Sequence, residues 1–328
     1  MQMELYWLLT KKNWKPINTD TEMKKLSLLI FAFLMAVSLS AQTISKEELI
    51  FLTSEWKGER FPDGRPKVPD DLLVRARKIM VDDAWTVLKN EGYLNQFEGN
   101  WKMVYDSVPV IGRAVTAMFM PTRPDVEKNI KQRGAAAGRK GNTNAWPIEV
   151  LQQGDVYVAD AFGKIAGGTL MGSTLANSIY AKTGNGVVFN GASRDLQELK
   201  MIKGNFNAFV RDFHPSFLEE TVLVGLNTPI RIGNAMVLPG DLVIGFGEGV
   251  LFVPAHMAEQ VVGTAEFVVR KDKFGYEMVK SGAYSAGQID SQWTDQIKND
   301  FLKWLEKHPE LGKMTRAELD KLMSKRTW

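Results

Sequence analysis

The stretch from residue 154 to residue 204 limits the possible folds more than any other. An apolar run, GDVYVAD, leads into a glycine-rich turn, GGTLMGS, and then into the helix-like STLANSIYAKTG; a second apolar run, GVVFN, precedes a second helical segment, RDLQELKMIKG. Strands that alternate with helices at this spacing predict an α/β architecture with parallel pairing. From Phe206 to Pro254 the pattern changes to closely spaced apolar runs, NAFVR, TVLVGL, PIRIGNAMVLPGD, LVIGF and GVLFVP, separated by glycine turns. These predict a β-rich layer packed against the α/β layer. The GFGEG stretch at 245–249 lies between two strands and opens no helix, so it reads as a turn and not as a dinucleotide fingerprint.

The flanks are different. Residues 42–71 are polar and turn-rich, with three prolines in FPDGRPKVPDD, and read as a linker or surface wrap. A helix capped by Asp70 or Asp71 and stopped at Gly92 is expected next, because Val81, Ala84, Trp85 and Leu88 recur at helical spacing. The run VPVIGRAVTAMFM predicts a strand. The segment RGAAAGRKGNTNAWP at 133–147 lacks phosphate-loop spacing and reads as a loop, either plain surface or a lid. After Pro254 the chain turns helical. Ile297, Phe301, Trp304 and Leu305 form one stripe, and Thr315 with Glu318 makes a capping box for a last helix bearing Leu319, Leu322 and Met323. The division expected is one domain over 72–265 and a helical extension over 266–328.

Lys24 and Lys25 precede a 14-residue apolar run, LSLLIFAFLMAVSL, that ends in Ser40, Ala41 and Gln42. The run is too short to span a membrane and reads as a signal peptide over about 23–41, with translation starting at Met23 and cleavage near Ala41. A retained anchor is the alternative. An exported chain, periplasmic or secreted, with no stable membrane span after processing is expected. Residues 1–41 hold five Lys and three acids, so the rest carries 36 basic and 35 acidic residues. That near-neutral balance implies no nucleic-acid partner. The absence of cysteine removes disulfides, thiolate nucleophiles and cysteine-ligated zinc. His214, His256 and His308 lie far apart and lack the spacing of a metal-binding helix pair.

Two features carry chemistry. The glycine turn opens a helix whose first amides are unpaired and partly positive, suiting a carboxylate, although Ser173 also reads as a plain helix cap. Arg194 and Asp195 follow the second apolar run. The guanidinium can fork onto a carboxylate or enolate oxygen, and the carboxylate offers a hard ligand for Mg2+ or Mn2+. The pair also reads as a surface ion pair beside a helix start.

The string from Gly154 to Leu199, with FNAFVRDFHPS and VLPGDLVIGFGEGVLFVP after it, resembles the family that joins 4-hydroxy-4-methyl-2-oxoglutarate aldolase with the regulator of ribonuclease E activity A. The likeness covers about residues 72–265, and Arg194, Asp195 and Glu198 match its Arg-Asp pattern with a glutamate three positions on. The resemblance implies a compact layered β/β/α domain with mixed sheets, assembling as a homotrimer or dimer of trimers. It also implies a divalent-metal-dependent lyase that cleaves a small oxo acid by retro-aldol cleavage or decarboxylates oxaloacetate, in either case through a pyruvate enolate. Asp195 would then ligate the metal, Arg194 would bind the oxo acid, and Gly172, Ser173, Thr174 and Leu175 would hold its carboxylate. Ser173 stands where aldolase members carry an acid; Asp160 and Glu198 are the candidates to supply the missing charge. The alternative is a non-catalytic binding or regulatory protein that keeps the trimeric scaffold.

Overall fold

A computed structural model describes residues 43–325. The signal-peptide reading of residues 1–41 lies outside them. In chain order the elements begin with helices α1 (Lys46–Leu52), α2 (Asp70–Ala76) and α3 (Val81–Asn90), then strands β1 (Phe97–Glu98), β2 (Lys102–Met103) and β3 (Val110–Pro121). Helices α4 (Pro124–Ala136) and α5 (Trp146–Glu149) lead to β4 (Asp155–Asp160), β5 (Thr169–Met171), α6 (Ser173–Thr183), β6 (Val187–Ser193) and α7 (Leu196–Leu199). Strands β7 (Ala208–Phe213), β8 (Thr221–Leu226), β9 (Ile230–Ile232), β10 (Ala235–Val237), β11 (Leu242–Phe246) and β12 (Gly249–Val253) follow. Helices α8 (Ala258–Ser281), α9 (Ala286–Asp290), α10 (Asp295–Glu306) and α11 (Arg316–Lys325) close the chain.

The fold is mixed α/β around one large sheet, ordered β1-β12-β11-β3-β4-β6-β7-β2, with β5 paired to β6 and β8 to β3. The expected parallel pairing is present: β3 with β4, β4 with β6, and β6 with β7. These strands are buried on both faces, as parallel strands covered on both sides must be. Tyr157, Ala159, Phe189 and Val210 join one core cluster with Trp146 and Ile179, while Val156, Val158, Val188 and Phe209 join another with the β9–β10 hairpin. The β-rich half is not detached from the parallel half. The long β3 pairs with β11 over 110–113 and β8 over 117–121, on the edge opposite β4, so both halves share one sheet.

The helix expected over 70–92 is two helices. Met80 is extended (φ −97°, ψ 147°), which lets Ile79 enter the core beside Leu72, Leu73, Val81 and Leu88. The stretch expected as linker or surface wrap carries α1 and places Arg65 fully inside, 3.3 Å from the equally buried Asp155. Helix α8 crosses position 265 without a break, and the stripe of Ile297, Phe301, Trp304 and Leu305 packs on its Phe267 and Phe274. The Thr315–Glu318 box is formed: Thr315 N–H donates to Glu318 Oε2 at 2.7 Å, and Glu318 N–H donates to Thr315 Oγ1 at 3.2 Å. Among the described residues no helix is long and apolar enough to cross a membrane.

Candidate functional site

The ends of β5 and β6 are lashed together. Arg194 N–H donates to Met171 O at 2.9 Å, and Ser193 Oγ donates to the same carbonyl at 3.0 Å. Whatever follows each strand therefore emerges side by side: Gly172 and Ser173 from β5, Arg194 and Asp195 from β6. Asp195 takes the left-handed backbone (φ 62°), a region that Asp tolerates better than most residues. Although it sits at the cap position of α7, it makes no cap bond there. Its carboxylate turns to the neighbouring helix instead, and Oδ2 accepts Ser173 N–H at 2.9 Å.

That contact revises the role read for Ser173. The cap position of α6 falls on Gly172, and the Asp195 carboxylate satisfies the first open amide at the positive end of the helix. Gly172 is required by the close approach: a Cβ there would lie 2.5 Å from Asp195 Oδ2 and 2.8 Å from Arg194 Nε. Arg194 Nε is 3.7 Å from Asp195 Oδ2, and its guanidinium carbon lies 4.3 Å from the centre of the Phe217 ring. A cation over a ring face is attracted by the ring quadrupole, so the flat guanidinium is held from one side.

These groups line a cavity of about 310 Å³ with Met171, Thr174, Leu175, Asn142 and Asn144. The amides of Thr174 and Leu175 have no acceptor among the described residues. Thus Arg194, Asp195 and the opening amides of α6 converge. Asp160 and Glu198 do not line this cavity. Asp160 accepts from Phe162 N–H and from Asn190 Nδ2, both at 2.9 Å, and Glu198 is an exposed residue of α7.

Sequence reasoning missed Asn144 and Phe217 as lining groups. Asn144 belongs to the segment read as surface loop or lid, and that segment's end forms a wall of the cavity. Asn144 Nδ2 donates to Leu170 O at 2.7 Å, and the Tyr157 hydroxyl, kept protonated by burial, donates to Asn144 O at 3.4 Å. Phe217 stands in a loop, where no periodicity marks it.

For a divalent cation the donor set is small. Among the described residues no three His, Cys, Asp or Glu side chains gather. One carboxylate remains: Asp195 Oδ1 has no hydrogen-bond partner among the described residues while Oδ2 is anchored. A hard cation that keeps most of its water shell, as Mg2+ does, needs only one or two carboxylates, so the site fits such an ion.

Residues 79–252, just over half of the chain, match the RraA-like family described as Aldolase/RraA. A protein of Halalkalibacterium halodurans named "Putative 4-hydroxy-4-methyl-2-oxoglutarate aldolase" is 33% identical over 117 residues, which cover 34% of this chain and 52% of that one. The chain thus spans about half the length of that relative. An uncharacterized protein of Methanocaldococcus jannaschii is 24% identical over 210 residues, 62% of this chain and 93% of its own. Among solved structures, RraAS2 of Streptomyces coelicolor, described as an unusual member of the RNase ES inhibitor RraA protein family, has a TM-score of 0.56 at 24% identity, covering 64% of this chain and 99% of that one. An uncharacterized protein of Pseudomonas syringae pv. tomato has a TM-score of 0.55 at 19% identity, covering 68% and 98%. These two structures are alike in fold. By the match over its central domain, the chain belongs to the RraA-like family of aldolases and RraA proteins.

Proposed function

We propose that the protein is a divalent-metal-dependent lyase that cleaves a small 2-oxo acid through a pyruvate-type enolate, by retro-aldol cleavage or by decarboxylation of oxaloacetate. The observation that carries this reading is the convergence of Arg194, Asp195 and the open amides of Thr174 and Leu175 on one cavity. The amides receive the substrate carboxylate, since a helix start stabilises an anion. Arg194 donates to the 2-oxo oxygen, and its hydrogen bonds strengthen as that oxygen gains negative charge. Asp195 Oδ1 is the ligand offered to Mg2+ or Mn2+, and the bound ion would supply Lewis-acid polarisation of the 2-oxo group. Ser173 Oγ is a neutral hydroxyl and takes up no proton, so in retro-aldol cleavage water takes the proton of the 4-hydroxyl as the C3–C4 bond breaks, in decarboxylation that bond breaks with loss of CO2, and in both water returns a proton to C3 of the enolate to give pyruvate. The test is pyruvate release with Mg2+ or Mn2+ for wild type and Asp195→Ala. A loss of about 10²-fold or more is expected, and equal rates end the metal-ligand assignment.

A second reading, a binding protein that keeps the scaffold without the chemistry, is favoured by one observation: Asp195 is the sole carboxylate lining the cavity among the described residues. Oxo-acid binding without pyruvate release, at any metal concentration, selects it. We further propose assembly as a homotrimer or dimer of trimers, read out by sedimentation, and export after cleavage near Ala41, read out by sequencing the mature N-terminus.

A further inference from the structure

We propose that a second cavity, separate from the one that holds Asp195, binds a small alkylammonium ion. It lies between the end of α1, the loop after α3 and the end of β12, has a volume of about 280 Å³, and shares no lining residue with the Asp195 cavity. Its lining carries one sign of charge: Asp241 and Glu55 are its acids, and no Lys or Arg lines it among the described residues. Two of the lining groups are buried acceptors without a cation. Asp241 is 3% exposed, and its carboxylate accepts only main-chain N–H groups, that of Leu238 at 2.8 Å and that of Ala255. Gln96 is 8% exposed. Its Nε2 donates to Phe252 O at 2.7 Å and to Met236 O at 3.3 Å, which fixes the amide orientation and leaves Oε1 without a partner among the described residues. A buried acceptor left open is costly. An ammonium group, with three donors and no acceptor, fits this pair.

The rest of the lining favours an organic cation over a hydrated metal ion. Trp56 and Tyr93 contribute aromatic rings, whose faces attract cations, and Leu52, Met236 and Leu238 offer an apolar surface for an alkyl chain. The polar atoms of the two rings are already engaged: Trp56 Nε1 donates to Glu59 O at 2.8 Å, and the Tyr93 hydroxyl lies 2.9 Å from His256 Nε2. Burial pushes the His256 imidazole down despite Glu55 nearby, so the ring is neutral at pH 7 and adds no opposing charge. Two cations stand behind the α1 end. Arg60 donates to Thr53 Oγ1 and Thr53 O, both at 2.7 Å, and to Trp56 O at 3.2 Å, while Lys57 donates to Ser54 O at 2.6 Å. Both are held by the backbone of that turn and neither lines the cavity. Burial also pushes Asp241 up to about 7, and a cation seated against it offsets that cost.

The test is calorimetric titration of the full chain, with Mg2+ in excess, using n-butylammonium and its neutral counterpart n-butanol. The ammonium is expected to bind at least about tenfold tighter, the lower end of what a hydrogen bond to a charged group contributes. Glu55→Lys changes an exposed residue and brings a cation to the cavity; it is expected to weaken n-butylammonium by about tenfold and leave n-butanol unchanged. Asp241→Asn, with its folding checked by Tm, is expected to bring the two probes to within about threefold of each other. Asp195→Ala is expected to leave both affinities unchanged, which separates this cavity from the other. Binding of neither probe, equal binding of the two, or an unchanged preference in Glu55→Lys overturns the inference. Loss of n-butylammonium binding in Asp195→Ala, or its displacement as Mg2+ is raised, overturns it as well. None of these outcomes depends on pyruvate release, so the inference and the lyase reading stand or fall separately.

Discussion

Replacing Gly172 with alanine isolates the geometry of the site from the stability of the fold. Its backbone (φ −119°, ψ −172°) is extended and open to any residue, so the helix start should form as before. The new Cβ, however, would stand 2.5 Å from Asp195 Oδ2, where ordinary contact begins at 3.4 Å. The carboxylate must retreat by about 0.9 Å or the β5 end must move by a similar amount, and Arg194 Nε, 2.8 Å from the same Cβ, is pushed with it. Misplacement of about 1 Å in a catalytic constellation costs about 10²-fold in rate, equivalent to about 2.7 kcal/mol. Pyruvate release is therefore expected to fall by that factor and Mn2+ affinity, followed by titration, to fall with it, while Tm drops by only a few degrees. The same substitution in an Asp195→Ala background should cost less than in wild type, because of the two groups it displaces only Arg194 remains. Wild-type turnover in Gly172→Ala, or full additivity in the double variant, would refute the view that this contact sets the position of Asp195.

Ser173→Ala should leave turnover within about threefold of wild type, because Ser173 holds Asp195 through its main-chain N–H, which alanine retains; a hundredfold loss would show that the hydroxyl takes part. Arg65→Ala leaves the buried Asp155 with Arg113 Nε at 3.9 Å as its nearest cation, and urea unfolding should register a loss of about 3–5 kcal/mol; a change below about 1 kcal/mol would contradict the burial of that bridge. Burial, with Asp82 and Asp272 nearby, pushes Asp83 up from 3.8 to about 7. The folded chain therefore binds a proton that the unfolded chain has released, so this contribution is full below about pH 4 and is lost as pH rises through about 7. Asp83→Asn should flatten the decline in stability between those values. Asp241, also pushed up to about 7 by burial, should preserve part of the slope, and an unaltered profile in the variant would remove Asp83 from the account.

The parallel half of the sheet was legible because its signal is local: each buried strand is one apolar run, and the glycine turn and the helix sit between two of them in sequence. The same logic exposed Arg194 and Asp195, since residues leaving neighbouring parallel strands at the same end are bound to meet. What could not be read depends on contacts distant in sequence. Arg65 lies in a polar, proline-rich stretch, and its burial makes sense only with Asp155, 90 positions away. The break between α2 and α3 carries no proline or glycine; across it Ile79 enters the core, which outweighs the about one turn of backbone bonding that a continuous helix would add. Position 173 shows how a residue type can mislead. Read by side chain, serine in place of an acid removes a charge from the site. The geometry uses the N–H instead, a group every residue but proline supplies, so the anchoring of Asp195 does not depend on the side chain at 173.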